Sequence, residues 1–318
     1  MGVSVVIPNY NGKKYLETCM NSLMKQSLKP EEIIIVDNDS KDGSIEYIEQ
    51  NFKDKVTLIC LNENYGFSKA VNEGIRNSKS DFVALLNNDT ELDERWLEEL
   101  YKCIQKDENI FSCCSKMLRF RERNIIDDAG DEYTLFGWGN KIGDGKQSEI
   151  YDEDREVFSS CAGAAIYRKS ILQKIGLFDE NFFAYLEDMD ISYRARVYGY
   201  KNYYASKAKV YHIGSATSGS RHNSFKVKLA ARNNIYLIFK NMPIPQIILN
   251  FMFIFIGIIV KWIYFLIKGF GIDYIKGVFE GLTTKKKVNK IKLKDNLFNY
   301  IDIEKKLLKN TLNLLKRG

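Results

Sequence analysis

Four times in about its first 90 residues the chain runs through a short apolar segment and then stops on a cluster rich in Asn, Asp or Gly. Residues 3–7 end in Pro8, Asn9, Tyr10, Asn11 and Gly12; residues 33–36 end in Asp37, Asn38, Asp39 and Ser40. Residues 56–61 end in Asn62, Glu63, Asn64, Tyr65 and Gly66, and residues 82–86 in Asn87, Asn88, Asp89 and Thr90. Between the first two, Tyr15, Leu16, Cys19, Met20, Leu23 and Met24 recur at helical spacing over residues 13–28, and Pro30 ends the pattern. Residues 44–51 and 67–77 read as two more helices. Alternation of this kind predicts a doubly wound, mostly parallel α/β sheet. The continuous apolar runs are those of strands buried on both faces.

Ligands of such sheets bind beyond the carboxyl ends of the strands. There the sequence gathers Asn9, Asn11, Asp37, Asn38, Asn64 and Asp89. A row of carbonyl and carboxylate acceptors suits a nucleotide base and ribose, which present N–H and O–H donors. A carboxylate such as Asp89 also suits a divalent cation that carries phosphate oxygens. The simpler reading of residues 87–90 is a strand-end turn, with Asp89 capping a helix over residues 91–104. No Gly-x-Gly-x-x-Gly follows the first strand and no Walker lysine loop occurs, which disfavours dinucleotide and P-loop chemistry.

The middle of the chain, residues 111–158, is irregular; Asp127, Asp128, Asp131, Gly137, Gly139, Gly143 and Gly145 imply loops and short strands. Residues 161–167 are small and apolar, fit for close approach of a ligand or for tight packing. Glu187, Asp188 and Asp190 crowd together ahead of a helix over residues 191–197. They stabilise a helix N-terminus, with Asp190 pairing Arg194 at i,i+4, or they supply a carboxylate general base. His212 ends a short strand over residues 209–213, before Gly214 and Ser215, as a polar core residue or a metal ligand. A Ser/Gly loop over residues 214–223 follows.

The net charge of +6 is unevenly placed: acidic residues crowd the first half and lysines the tail. No basic stripe interleaved with aromatics marks a nucleic-acid module. The six cysteines lack Cys-x-x-Cys or zinc spacing and fit reduced, mostly buried thiols of a cytosolic compartment. No signal peptide is expected, since strand material begins at Val3. After a helix over residues 225–240 and Pro243, residues 247–260 and 262–267 are nearly all apolar, interrupted by Asn250, Gly257 and Lys261. The run reads as an interfacial helix, a single membrane span or a dimer helix. Lys285, Lys286, Lys287, Lys290, Lys292 and Lys294, then an amphipathic end over residues 307–315, point to anionic lipid.

These motifs together resemble the family 2 glycosyltransferases with the GT-A fold. VSVVIPNYNG resembles that family's opening strand and nucleotide loop, IIIVDNDSKDGS its second strand with a base-binding aspartate, and LLNNDT its Asp-x-Asp region. NYGFSKAVNEG and FFAYLEDMDISYRAR are similar to segments of its rhamnosyltransferase-like branch. The resemblance spans residues 3 to about 240. It implies a donor site of Pro8, Asn9, Tyr10, Asn11, Asp37, Asn38, Asn64, Gly66, Asn72, Asn88 and Asp89. It implies Mg2+ or Mn2+ at Asp89 with His212, Asp188 as general base with Glu187 beside it, and inversion at the anomeric carbon. Asn87 stands in place of the first aspartate, which puts more weight on Asp89 and His212. Absence of Gln-x-x-Arg-Trp argues for addition of one sugar.

The expected organisation is a GT-A domain over residues 1–240 and a helical, membrane-associating region over residues 241–318. The expected donor is dTDP-rhamnose or a UDP-sugar. The expected acceptor is a glycan, polyprenyl-linked, at the cytoplasmic face of the membrane. Nucleotidyl transfer and a catalytically dead binding module are the alternatives.

Overall fold

A computed structural model describes residues 2–214, 222–291 and 296–317. Ser215, Lys292 and Lys294 lie outside the described residues. In chain order the first part comprises β1 (Val3–Asn9), α1 (Lys13–Met24), β2 (Glu32–Asp37), α2 (Ser44–Phe52), β3 (Thr57–Cys60), α3 (Phe67–Asn77), β4 (Phe82–Leu86), β5 (Thr90–Leu92) and α4 (Trp96–Ile104). Then come β6 (Ile110–Arg119), β7 (Glu122–Asp128), β8 (Asp131–Tyr133), β9 (Gly139–Lys141), β10 (Arg155–Val157), β11 (Ala164–Arg168), α5 (Lys169–Ile175), α6 (Glu187–Val197) and β12 (Lys201–His212). The α-helices that follow among the described residues are α7 (Ser224–Asn241), α8 (Ile244–Leu249), α9 (Phe251–Ile267), α10 (Gly271–Thr284) and α11 (Leu297–Arg317).

The main sheet runs β10-β12-β6-β11-β4-β1-β2-β3, with β5 on β12 and β7 on β6. β3, β2, β1 and β4 are parallel, as the alternation predicts. The sheet as a whole is mixed rather than mostly parallel. β11 inserts antiparallel between β4 and β6, and β5, β7 and β10 also pair antiparallel. The physical reason lies after β4. The chain reaches β6 through α4, then makes an irregular excursion and returns as β11, so no crossover helix imposes a parallel direction there. β5 replaces the start of the expected helix over residues 91–104, because Thr90–Leu92 pairs with Val210–His212.

Two apolar clusters cover the two faces of the sheet. Val5, Ile7, Ile35, Ala84, Leu86 and Ile166 pack under α1 and α4, while Val6, Ile34, Val36, Val83, Leu85 and Tyr167 pack under α3 and α5. A third cluster joins Tyr133, Phe158 and Tyr193 to Tyr236, Ile254, Tyr300 and Leu307. Residues on both sides of position 240 therefore share a core.

The apolar run divides at the buried Asn250, whose amide donates to Glu304 at 3.0 Å. The 17-residue α9 is about 26 Å long, short of a hydrocarbon core of about 30 Å. Among the described residues no helix is long and apolar enough to cross a membrane, so the single-span reading is set aside.

Candidate active site

The carboxyl ends of β1, β2 and β4 are joined by side chains. Asn9 Nδ2 donates to Asp37 Oδ2 at 2.6 Å, and Asn88 Nδ2 donates to Asn9 Oδ1 at 2.6 Å. Asp37 Oδ1 accepts from the Ser40 amide at 2.8 Å. All three side chains are buried. In-register pairing of Asn9 with Asp37 sets the row, and Gly12 leaves room for it. A Cβ at Gly12 would lie 2.0 Å from Asn88 Nδ2 and 2.6 Å from Asn9 Oδ1.

Asn38 turns the other way. Its amide donates to the Gly66 carbonyl at 2.9 Å and accepts from the Tyr65 amide, while Asn64 Oδ1 accepts from the Gly66 amide at 3.0 Å. Asn11 Oδ1 accepts from the Lys41 amide at 2.8 Å. Pro8 and Tyr10 are partly exposed at the same edge. Asn72 does not join them. It is buried on α3, donates to the Phe178 carbonyl at 2.8 Å and to Glu180 Oε1, and accepts from the Phe178 amide. Its polar atoms tie α3 to residues 178–180 rather than to the Asp37–Asn9–Asn88 row.

Asp89 is also buried, and the β5–β12 ladder brings His212 opposite Thr90 beside it. His212 Nε2 lies 3.5 Å from Asp89 Oδ2, and His212 Nδ1 lies 2.7 Å from Asp127 Oδ2. Burial pushes the imidazole toward neutrality, but hydrogen bonds to Asp127 and Asp89 outweigh it and raise its pKa to about 9. Among the described residues no group of three or more His, Cys, Asp or Glu side chains is disposed to hold a metal.

Asp188 begins α6. Its Oδ1 accepts from the Met189 amide at 2.7 Å and its Oδ2 from the Ala162 amide at 3.4 Å. One residue on, the Gly163 carbonyl accepts from the Asn87 amide at 2.8 Å, so residues 162–163 connect Asp188 to the Asn87–Asp89 segment. Burial raises the Asp188 carboxyl above its ordinary value. Glu187 is 7% exposed with Oε2 unpartnered; burial, then the charges of Asp188 and Asp190, push its pKa well up. Both carboxyls are therefore poor acids and good proton acceptors. Asp190 has the structural role its spacing suggested: Arg194 Nη2 and Lys240 Nζ lie 3.0 Å from its Oδ2, and Asn241 donates to Oδ1.

Several site residues carry no signal in the sequence. Phe183, Tyr185 and Leu186 adopt positive φ of 62°, 70° and 67° immediately before Glu187. Non-Gly residues in that region cost on the order of 1–3 kcal/mol each and persist only when held. Asn233 of α7 holds them: its amide nitrogen lies 2.8, 2.8 and 2.7 Å from the carbonyls of Phe182, Ala184 and Tyr185. Arg232 Nη2 adds a bond to the Asn181 carbonyl at 3.0 Å. Asp127 and Lys141, joined at 3.0 Å, border His212.

The model of the family described as glycosyl transferase family 2 matches residues 4–176, more than half of the chain. The chain belongs to this family. Among curated relatives, a glycosyltransferase, GlyA, of Streptococcus pneumoniae serotype 4 is 33% identical over 103 residues, covering 32% of this chain and 15% of the relative. An uncharacterised glycosyltransferase of Rickettsia prowazekii is 28% identical over 200 residues, covering 60% of this chain and 58% of the relative. The match thus spans less than two thirds of either relative. Among solved structures, GalNAc-T7 with UDP, GalNAc and Mn2+ superimposes with a TM-score of 0.60 at 19% identity, covering 75% of this chain and 47% of that one. At that identity the likeness shows the GT-A-like fold. The family match favours the glycosyltransferase reading of the edge over nucleotidyl transfer.

Proposed function

We propose that this family 2 protein transfers one sugar from a nucleoside-diphosphate sugar to a glycan acceptor with inversion. The observation that carries this reading is the continuity of the strand edge. The Asp37–Asn9–Asn88 row, the Asp89–His212 pair and Asp188 are linked through the backbone of residues 162–163. Asp37 and the asparagines offer acceptors and donors to a pyrimidine and ribose. Asp188 is the carboxylate that takes the proton from the acceptor hydroxyl as it attacks the anomeric carbon; the anomeric C–O bond breaks and the nucleoside diphosphate leaves. Glu187 lies buried beside it, its own carboxyl raised by burial and by the charge of Asp188.

Asp89 and, once its Nε2 proton is lost, His212 are the residues that would hold a divalent ion in this reading. When bound, Mg2+ or Mn2+ would neutralise charge developing on the departing diphosphate, whose oxygens would complete the shell. GalNAc-T7 holds UDP and Mn2+ on the same fold. Excess EDTA is expected to stop sugar transfer; full activity in a metal-free assay contradicts this role. A UDP-sugar or dTDP-rhamnose is the donor class, the latter resting on the resemblance of residues 64–74 and 182–196.

The acceptor is proposed to be polyprenyl-linked and met at an anionic membrane surface, with α8–α10 lying on the lipid. Ile248, Met252, Phe255 and Ile272 are 70%, 61%, 49% and 71% exposed. Phe136 packs on Phe253 and the Gly257 carbonyl accepts from Trp138 Nε1, so the β8–β9 hairpin that carries Lys141 also touches α9. Of the tail lysines, Lys290 is occupied: its Nζ caps the Phe239 and Met242 carbonyls at the end of α7. Burying a large apolar side chain in lipid contributes about 1.5–3 kcal/mol. The double variant Met252→Glu/Phe255→Glu is therefore expected to weaken cosedimentation with vesicles containing anionic lipid at least tenfold, with little change in stability. Unchanged sedimentation removes the lipid face.

A further inference from the structure

We propose that Lys261 binds the diphosphate of the polyprenyl-linked acceptor and so holds the acceptor sugar toward Asp188. This rests on the reading of the acceptor given above. Phe253, Gly257 and Lys261 follow one another at i, i+4 and i+8 and form one stripe of α9. The Phe253 ring packs on Phe136 with centroids 6.0 Å apart, and the Gly257 carbonyl accepts from Trp138 Nε1 at 3.1 Å. A Cβ at Gly257 would lie 2.3 Å from the Phe136 carbonyl oxygen, so helix and hairpin touch directly. One turn further on, Lys261 Nζ lies 5.7 Å from the centre of the Trp138 ring. Trp138 leads into Gly139, where a Cβ would lie 3.2 Å from Met189 Cε and 3.6 Å from Leu186 Cδ2. Leu186 and Met189 flank Glu187 and Asp188 in sequence. The ammonium thus stands at the hairpin, between the apolar helix and the proposed base.

Lys261 is mostly covered, yet among the described residues no carboxylate or carbonyl oxygen bonds its Nζ. Its neighbours Val260, Trp262 and Ile263 are exposed and largely apolar. Burial, with no anion to oppose it, lowers its pKa to about 8. The face of Trp138 attracts the cation but supplies no conventional lone pair to its N–H donors. A lysine that served only lipid headgroups would stand as Lys268 does, exposed at the helix end. A covered ammonium without an anion is costly unless it meets one. The oxygens of a diphosphate offer this compact cation both negative charge and acceptors. A polyprenyl-linked acceptor presents its parts in the matching order: prenyl chain along α9, diphosphate at Lys261, sugar hydroxyl at Asp188.

The probe is geranylgeranyl diphosphate in phosphatidylcholine vesicles, read by cosedimentation against vesicles brought to equal charge with phosphatidylglycerol. Wild type is expected to bind the diphosphate vesicles about tenfold more tightly or better. Lys261→Gln, which strands no carboxylate, is expected to remove that preference and leave binding to phosphatidylglycerol unchanged, while Lys261→Arg keeps it. A preference undiminished in Lys261→Gln overturns the role of Lys261 and leaves the polyprenyl-linked acceptor standing. Equal loss on both kinds of vesicle makes Lys261 a headgroup contact and also overturns it. No preference in wild type, with phosphatidylglycerol vesicles still bound, overturns this inference and the polyprenyl-linked acceptor together. Binding to neither kind overturns the lipid face as well. Should Lys261→Gln fail to fold, acetylation of wild-type Lys261 at about pH 8, read by mass spectrometry, decides the matter. The diphosphate is expected to slow it more than phosphatidylglycerol at equal charge; equal rates overturn the inference.

Discussion

Asp188→Asn is expected to lower the rate of sugar transfer about 10²- to 10⁴-fold while the donor still binds. The substitution is nearly isosteric. An asparagine oxygen still accepts from the Met189 amide, the stronger of the two backbone bonds at 2.7 Å, and only the 3.4 Å contact to Ala162 is lost. Folding should therefore survive. An amide cannot take the proton of an attacking hydroxyl. The same reasoning sets the pH dependence. Burial raises the Asp188 pKa, so the acidic limb of the rate profile should lie above the ordinary carboxylate range, and it should disappear in the variant. Assay of turnover alongside donor binding separates the steps. A variant that turns over at the wild-type rate contradicts the role of Asp188.

Two residues later the same kind of side chain does something else. Asp190→Ala is expected to destabilise the protein by roughly 3–5 kcal/mol, because it strands buried cations. Asp190 has no exposure, and Arg194 and Lys240 both direct charge at it. Burial alone would push its carboxyl up, but Lys240, Arg194 and the Asn241 amide hold its pKa below the usual value. A group depressed in the fold contributes stability above its unfolded pKa, and that contribution fades as pH falls through the folded value. The Asp190→Ala deficit should accordingly be full at neutral pH and shrink in strong acid. Denaturant unfolding of both proteins across pH measures it. An Asp190→Ala protein as stable as wild type at pH 7 contradicts the buried-network assignment.

Much of this was legible in the chain. Strands that are apolar throughout and end in Asn or Asp announce a buried sheet with a polar carboxyl edge. The structure joins Asn9, Asp37 and Asn88 along that edge. The Asp190–Arg194 pair followed from i,i+4 spacing alone. What stayed hidden depends on contacts distant in sequence. Asn72 belongs to a motif that suggests donor binding, yet its partners are Phe178 and Glu180, about a hundred residues away. The antiparallel β11 was hidden because small apolar residues pack in either direction. Asp127 gains meaning only when β7 and β12 flank β6, and Asn233 only when α7 meets the positive-φ loop. The apolar tail run has the composition of a span. Its division at Asn250 follows from burial against Glu304, which composition does not report.

Asp37, Asp89 and Asp188 are proposed to serve a single bound sugar nucleotide. A crystal structure of Asp188→Asn with a UDP-sugar and Mn2+ tests it most directly. The pyrimidine is expected against Asp37, the diphosphate and ion at Asp89 and His212, and the anomeric carbon facing residue 188. A nucleotide sugar seated elsewhere, or one that leaves residue 188 on another surface, would contradict it.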